Sequence, residues 1–225
     1  MAKSGELPLR KKGNRKSIMV SKFLTEACGR LKLTAEQIEN YPDVPEEVRV
    51  YLKPGKNDEE YWTAKHLIEQ VEYKAIPIFE ALFPNSIGVF AFDNSSNHSA
   101  FASDALVVKR MNIGPGGNAP KMHDTFWGPN NERQSMNFPD GRLKGVKQVL
   151  IERGLWKNNI VGECKLCKNK NDDPLRVDCC GRRILSLQPD FLAQKSALVE
   201  IIENAGHVCI FFLKFHCELN FIERY

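Results

Sequence analysis

Two short apolar runs constrain what this chain can fold into more than any other feature of its sequence. Residues 87–92 form the first run and end at a single carboxylate, Asp93, and residues 208–212 form the second, far along the chain. Runs of this length, bounded by polar residues, predict strands that are buried on both faces. Because helical patterns lie between them, the sequence predicts an α/β protein with a mixed sheet and helices on its faces.

Apolar residues between and before these runs recur at helical spacing in several places. A capping box at Asn57 predicts a helix that begins near Asp58 and is kinked or broken at Pro77. Residues 100–108 predict a shorter helix. A last long helix is predicted from Pro189, where a first turn tolerates proline, to a glycine cap at position 206.

The composition restricts the class of protein and its compartment. The chain has 225 residues, enough for one buried α/β domain that carries an insertion. It lacks both an apolar signal segment and a run near the roughly 20 apolar residues of a membrane span, so we expect no membrane partner and no secretion. Seven cysteines, an odd number, favour a reducing intracellular compartment with thiols or metal over disulfides.

Positive charge is concentrated at the start of the chain. Residues 1–32 contain nine Lys and Arg against two Glu, a net of +7, so the rest of the chain sums to −3. A basic flank of this kind suits a polyanion such as nucleic acid. The candidate contacts to the nucleic-acid backbone are Arg10, Lys11, Lys12, Arg15 and Lys16. The alternative is an ordinary solvated surface with scattered basic side chains.

Two carboxylates occupy positions that suit a divalent metal. Asp93 ends the first apolar run, and Glu223 lies in a helical pattern after the second. Ligands of open α/β sheets gather at the carboxyl ends of strands, and hard cations prefer oxygen ligands. Taken alone, Asp93 is also typical of an Asx turn, and Glu223 of a helix residue that faces solvent.

These motifs carry a resemblance to a known family. The segment 93–98 resembles the second-aspartate motif of mariner-type DDE transposases, which have a ribonuclease H-like fold, and residues 214–223 resemble their third-acid motif. The chain is also similar to transposon-derived DDE endonuclease-like proteins of fungi. Those share the Pro-Leu-Arg-Lys-Lys-Gly segment at 8–13, the loop at 111–117 and a late Cys-Cys pair at 179–180.

The resemblance implies a ribonuclease H-like α/β core over residues 1–225, with 110–185 as an inserted loop-rich region that holds the cysteines. Asp93 and Glu223 would be two of three acids that hold a Mg²⁺ or Mn²⁺ pair for DNA cleavage and strand transfer, in the nucleus. The family's first acid and its strand precede the segment at 8–13, where this sequence has only a few residues. We therefore expect the first strand to be missing, the chain to be a remnant truncated at both ends and inactive, and an unpaired sheet edge to allow self-association.

A cysteine cluster supports a rival interpretation from another class of protein. A CxxC pair followed by two adjacent cysteines predicts a zinc site, which would make the chain a non-catalytic nucleic-acid-binding or protein-interaction domain with a zinc-stapled insertion. Its candidate ligands are Cys164, Cys167, Cys179 and Cys180. Because adjacent cysteines both bind a metal only where the backbone bends, His207 or His216 is an alternative fourth ligand. The alternative to zinc is a set of reduced thiols in a loop.

Three other features favour structural roles over functional ones. His98 is interpreted as a packing or hydrogen-bonding group and not as a metal ligand. The glycine-rich segment 114–117 is interpreted as a plain loop, because no strand-to-helix context favours a phosphate nest there. Trp62 and Trp127 could stack on bases, but Trp62 is predicted to be at least partly buried.

Overall fold

The computed structural model describes residues 18–53, 61–168 and 174–213, and it divides into two compact units. The first unit holds the described residues up to Ala100 and from Ala197 onward, and the second is Phe101–Ser196. The predicted insertion, residues 110–185, falls within the second unit. Helices and short strands occur in both, so the chain is a mixed α/β protein. None of the helices in these ranges is both long and apolar enough to cross a bilayer.

The first unit combines short strands with helices. The strands are β1 (Met19–Ser21), β2 (Leu24–Thr25), β3 (Gly29–Arg30), β4 (Val50–Leu52), β5 (Val89–Phe92) and β8 (Val208–Phe211). The helices are α1 (Ala35–Asn40), α2 (Ala64–Gln70), α3 (Ile76–Leu82) and α8 (Ala197–Asn204). β1 pairs antiparallel with β4 and β2 with β3, whereas β5 and β8 pair in parallel.

At Pro77 the predicted helix does not break but contains a wider, π-helical turn. A π-helical segment, Val71–Ala75, joins α2 to α3, and the Ile76 N–H donates to the Val71 carbonyl. Pro77, which has no N–H to donate, lies in the first turn of α3, directly after this π-helical segment. The capping box predicted at Asn57 lies outside the described residues, and α2 begins instead after Thr63.

The core of the first unit lies on one side of the β5–β8 pair. Phe90 and Phe92 are buried there against α2, α3 and α8, together with Ile78 and Ile202, which have no exposed surface. The alternate residues of β5 point away, and Val89 is 61% exposed. The prediction that this strand is buried on both faces is therefore wrong, because the described helices cover only one face of the pair.

The second unit contains a hairpin and short helices around its own core. It consists of β6 (Thr125–Trp127), β7 (Glu132–Gln134), α4 (Val146–Glu152), α5 (Lys165–Lys168), α6 (Gly181–Ser186) and α7 (Pro189–Leu192). Leu150 and Leu185 are fully buried between α4 and α6. β6 and β7 pair antiparallel.

A buried ion pair joins three elements of the second unit. The Arg153 guanidinium, at the end of α4, donates to both carboxylate oxygens of Asp190 at 2.9 and 2.7 Å, and its Nε donates to the Gln134 side chain at 2.7 Å. The Arg153 side chain is 0% exposed, and Trp127 and Phe191 lie 5.2 and 5.5 Å from its guanidinium carbon. The pairing is complete, so the buried charges are compensated.

Two predicted helices differ from the structure, the first because tertiary hydrogen bonds occupy its backbone groups. Residues 100–108 form no α-helix: the Leu106 N–H donates to the side chain of Gln194, and the Asp104 carbonyl accepts from His123. The helix predicted from Pro189 to position 206 is two helices, α7 and α8, with Gln194 between them. Gly206, at φ +82°, ends α8 as predicted.

Candidate functional site

Asp93 directly follows β5 and lies beside the end of β8. The Phe212 N–H donates to the Phe92 carbonyl at 2.8 Å, and the Asn94 side chain donates to the Phe212 carbonyl at 2.9 Å. Parallel pairing thus brings the chain that leaves β8 next to Asp93. Glu223 lies outside the described residues, so its distance from Asp93 stays a prediction.

Two contacts of the Asp93 carboxylate converge on one of its oxygens. Oδ1 accepts the Ser95 N–H at 3.2 Å and lies 2.6 Å from Nδ1 of His98. The first of these contacts is the Asx turn that the sequence offered as an alternative. Within the part of the chain that the structure describes, Oδ2 has no hydrogen-bond partner, and the side chain is 46% exposed. This oxygen is therefore open to a ligand.

A groove of about 590 Å³ runs along β5 and has Asp93 and His98 among its lining residues. One wall is the segment 19–26 and the other is 88–93, with the rings of Phe23 and Phe79 in the lining. Among the described residues, β5 pairs only with β8, so the edge of β5 away from β8 has no strand partner. A groove of this size, apolar with a few polar groups, has the character of a ligand-binding cleft.

The donor set at Asp93 fits a hard cation in part. Oδ2 is an available oxygen ligand, and Mg²⁺ commonly binds through one or two carboxylates while it keeps several waters and substrate phosphates. Within the described ranges, however, the only group of three or more potential metal-ligating side chains is the cysteine cluster. Asp93 therefore belongs to no cluster of three metal-ligating side chains among these residues.

The four cysteines come together in the second unit as the sequence predicted. Cys164 directly precedes α5 and Cys167 lies in that helix. Cys180 is the residue that precedes α6. All four sulfurs lie within 4.8 Å of one another, with Sγ of Cys179 at 3.7 and 3.5 Å from those of Cys164 and Cys167. Tetrahedral zinc with bonds of about 2.3 Å requires sulfurs about 3.8 Å apart. The cluster can therefore bind a metal such as zinc.

The alternative histidine ligands are not needed for this site. His207 accepts the Gly88 N–H at 3.3 Å on Nδ1 and packs between Phe79 and Phe90 in the first unit. His216 lies outside the described residues. Cysteine thus supplies all four candidate ligands, including the adjacent pair.

The thiols of the cluster differ in acidity for identifiable reasons. The main-chain N–H of Cys167 stabilises the thiolate of Cys164 and lowers the pKa of that thiol to about 6. Burial raises the pKa of Cys167 and the pKa of Cys179 above the ordinary value of a thiol. A bound cation would stabilise the thiolate form of the cluster, so metal binding there releases protons.

The cysteine cluster is tied to the core of the second unit. Cys180 is fully buried, and Gly181 packs so closely that a Cβ would lie 2.8 Å from the Trp156 ring. Arg182 donates from its two terminal nitrogens to the carbonyls of Val108 and Met111. A metal at the cysteines would therefore fix the start of α6 and, through it, the loop around Met111.

The other sequence candidates have structural roles or lie outside the described residues. The basic residues Arg10, Lys11, Lys12, Arg15 and Lys16 are all outside. In the glycine-rich segment, the Gly116 N–H donates to the Leu143 carbonyl and the Gly116 carbonyl accepts from Asn112, so these groups hold the loop. Trp127 stacks on Arg153, and Trp62 is half-buried beside the groove.

Comparison of the chain with protein families, with curated proteins and with solved structures found no match. The resemblance to DDE transposases thus depends on the motif residues alone. Sequence reasoning missed the groove, the contact between His98 and Asp93, and the buried Arg153–Asp190 pair. Of these three features, only the contact between His98 and Asp93 had a signal in the sequence, a histidine five residues after the aspartate.

Proposed function

We propose that this chain is a DNA-acting domain related to DDE transposases and endonucleases, in which Asp93 binds a divalent metal. The parallel pairing of β5 with β8 carries the proposal. It puts a half-exposed carboxylate at the carboxyl end of one strand, next to the point where the chain continues toward Glu223. Ligands of open α/β sheets gather at the carboxyl ends of strands, which supports the proposal that the motif following β8 in the sequence contributes to the same site.

The chain's own groups have separable roles in this proposal. Asp93 holds the cation through Oδ2, and Glu223 is the proposed second carboxylate. A bound Mg²⁺ or Mn²⁺ supplies activation of water or of a 3′-hydroxyl for in-line attack on a phosphodiester.

Metal binding tests the proposal directly. We expect the wild-type chain to bind Mn²⁺ in electron paramagnetic resonance or isothermal titration calorimetry, and Asp93→Asn and Glu223→Gln each to remove most of that binding, because each variant removes a negative ligand. Asp43→Asn, at an exposed aspartate of the same unit, is the matched control and should bind as the wild type. Equal binding by Asp93→Asn and the control would exclude Asp93 as a ligand.

DNA binding is expected to be weak, independent of sequence and strongly dependent on salt. If the five basic residues at 10–16 each contact a phosphate, log K falls with log salt with a slope of about −4.5. Fluorescence anisotropy with a duplex at several salt concentrations measures this slope. Replacing the five residues by Gln should flatten it, whereas Gln at five exposed lysines of the second unit should not. Binding that does not change with salt would contradict the proposal.

Among the strands that the structure describes, β5 has no partner at the edge away from β8, which supports self-association as a further property of this domain. Exposed apolar side chains lie along the outer face of the same pair, at Ile87, Val89, Val208 and Ile210. An edge with such neighbours is a template for pairing with a second copy of the chain. Nuclear localisation is proposed only because DNA is the proposed partner.

The second candidate function is a non-catalytic nucleic-acid-binding or protein-interaction domain stapled by zinc. The sulfur geometry of the four cysteines favours it, because no sulfur needs to move far to reach a tetrahedral site. The two candidates differ in metal dependence. Stabilisation by Zn²⁺ alone favours the binding domain, whereas Mn²⁺ binding that needs Asp93 favours the DDE-type domain.

A further inference from the structure

We infer that His98 is a positioning residue that orients the Asp93 carboxylate toward a metal ion. The inference rests on the proposed function and assigns a specific role to a residue that the sequence analysis interpreted as a packing or hydrogen-bonding group. Nδ1 of His98 lies 2.6 Å from Oδ1 of Asp93 and 2.9 Å from the Asp93 main-chain carbonyl oxygen. Two acceptors of one residue thus meet a single ring nitrogen.

This arrangement fixes the tautomer of the ring. A carbonyl oxygen can only accept, so the hydrogen bond to the Asp93 main chain requires a proton on Nδ1, and this nitrogen also lies beside Oδ1. The neutral ring then has its proton on Nδ1. Because the Ser95 N–H donates to Oδ1 and Nδ1 of His98 lies against the same oxygen, Oδ2 is the oxygen that the carboxylate leaves available.

The ring is itself held in place by packing. His98 packs on the Phe92 ring with 5.4 Å between centroids, and its side chain is only 19% exposed. Its main-chain N–H approaches Oγ of Ser95 at 3.4 Å, which closes the loop 93–98 on itself. An Asx turn needs only the Ser95 N–H, so the histidine contact is an addition that a simple cap does not require.

Hydrogen bonds from a second residue to a metal-ligating carboxylate are worth about 10–100-fold in metal affinity. The cause is geometric: without the bond, the carboxylate must be ordered when the metal binds. His98 should therefore affect metal affinity through Asp93 and not through its own Nε2. A histidine that ligated the metal directly would depend on the other ring nitrogen.

Three substitutions separate these roles in the full chain. His98→Asn keeps an N–H donor near the position of Nδ1, His98→Gln moves the donor toward Nε2, and His98→Ala removes it. We expect His98→Ala and His98→Gln to weaken Mn²⁺ binding about 10–100-fold and His98→Asn to retain most of the affinity. His123→Ala, at a histidine of the second unit, should bind as the wild type. Circular dichroism confirms that each variant is folded.

The outcomes distinguish this inference from the proposed function. If the wild type binds no Mn²⁺, the proposed function fails and the inference fails with it. If the wild type binds and Asp93→Asn does not, but His98→Ala binds normally, the inference alone is overturned. If His98→Gln retains Mn²⁺ affinity and His98→Asn loses it, the ring binds the metal directly through Nε2. That result would also overturn the inference.

A metal-free measurement tests the same geometry independently. Long-range ¹H–¹⁵N spectra of the neutral His98 ring are expected to show the proton on Nδ1. A proton on Nε2 would contradict the shared donor and therefore the inference.

Discussion

Asp190→Ala is expected to destabilise the second unit by about 3–5 kcal/mol, because it leaves the Arg153 guanidinium buried without its counter-charge. The Arg153 side chain has no exposed surface and Asp190 is 7% exposed, so water cannot replace the lost partner. A loss of this size is a large fraction of the stability of an ordinary domain. Urea denaturation followed by circular dichroism measures the free energy of unfolding.

The chain offers a matched control for this prediction. Arg142 and Asp140 form a salt bridge of the same 2.7 Å length, but their side chains are 66% and 51% exposed. Asp140→Ala should lower the free energy of unfolding far less than Asp190→Ala does, since solvent screens an exposed pair. Equal losses for Asp190→Ala and Asp140→Ala would show that burial does not decide the value of the Arg153 pair.

Removal of zinc is expected to have the other large effect. We expect the protein purified with Zn²⁺ to hold one zinc per chain, and chelation to lower the unfolding temperature, because binding free energy at a structural zinc site is folding free energy. Cys180→Ser should also lower the zinc content and the unfolding temperature, because it removes a fully buried candidate ligand directly before α6. Mass spectrometry for metal content and hydrogen exchange of the α6 amides measure the two effects.

Cys28→Ser is the control for the zinc prediction. Cys28 is exposed and lies in the first unit, so its replacement should change neither the zinc content nor the exchange of the α6 amides. Zinc content that is unchanged in Cys180→Ser, or full stability after chelation, would contradict a structural zinc site and would leave the cysteines as reduced thiols.

Several elements could be predicted from the sequence because their signals are local. The apolar runs at 87–92 and 208–212 each form a strand, and the wide helical turn lies next to Pro77. The glycine at position 206 ends α8 because a residue with positive φ favours glycine. The CxxC spacing likewise predicted a metal site at the cysteines, since two ligands on one turn depend only on short-range geometry.

Other features depend on partners that no sequence period reveals. Val89 and Phe90 are adjacent and similarly apolar, but only one faces the core, because helices cover one face of the β5–β8 pair. The helix predicted over 100–108 does not form, because the backbone N–H of Leu106 donates instead to the side chain of Gln194, which is distant in the sequence.

The sequence by itself predicted the strands at the two apolar runs, the glycine that ends α8 and the four cysteines as candidate ligands of a metal. Only the tertiary structure decided which of these groups meet. The Arg153–Asp190 pair and the closing of the four sulfurs join residues whose separation along the chain carries no periodic signal. The physical reason is that burial and pairing depend on the packing of whole elements, whereas turns, caps and strand lengths depend on neighbouring residues.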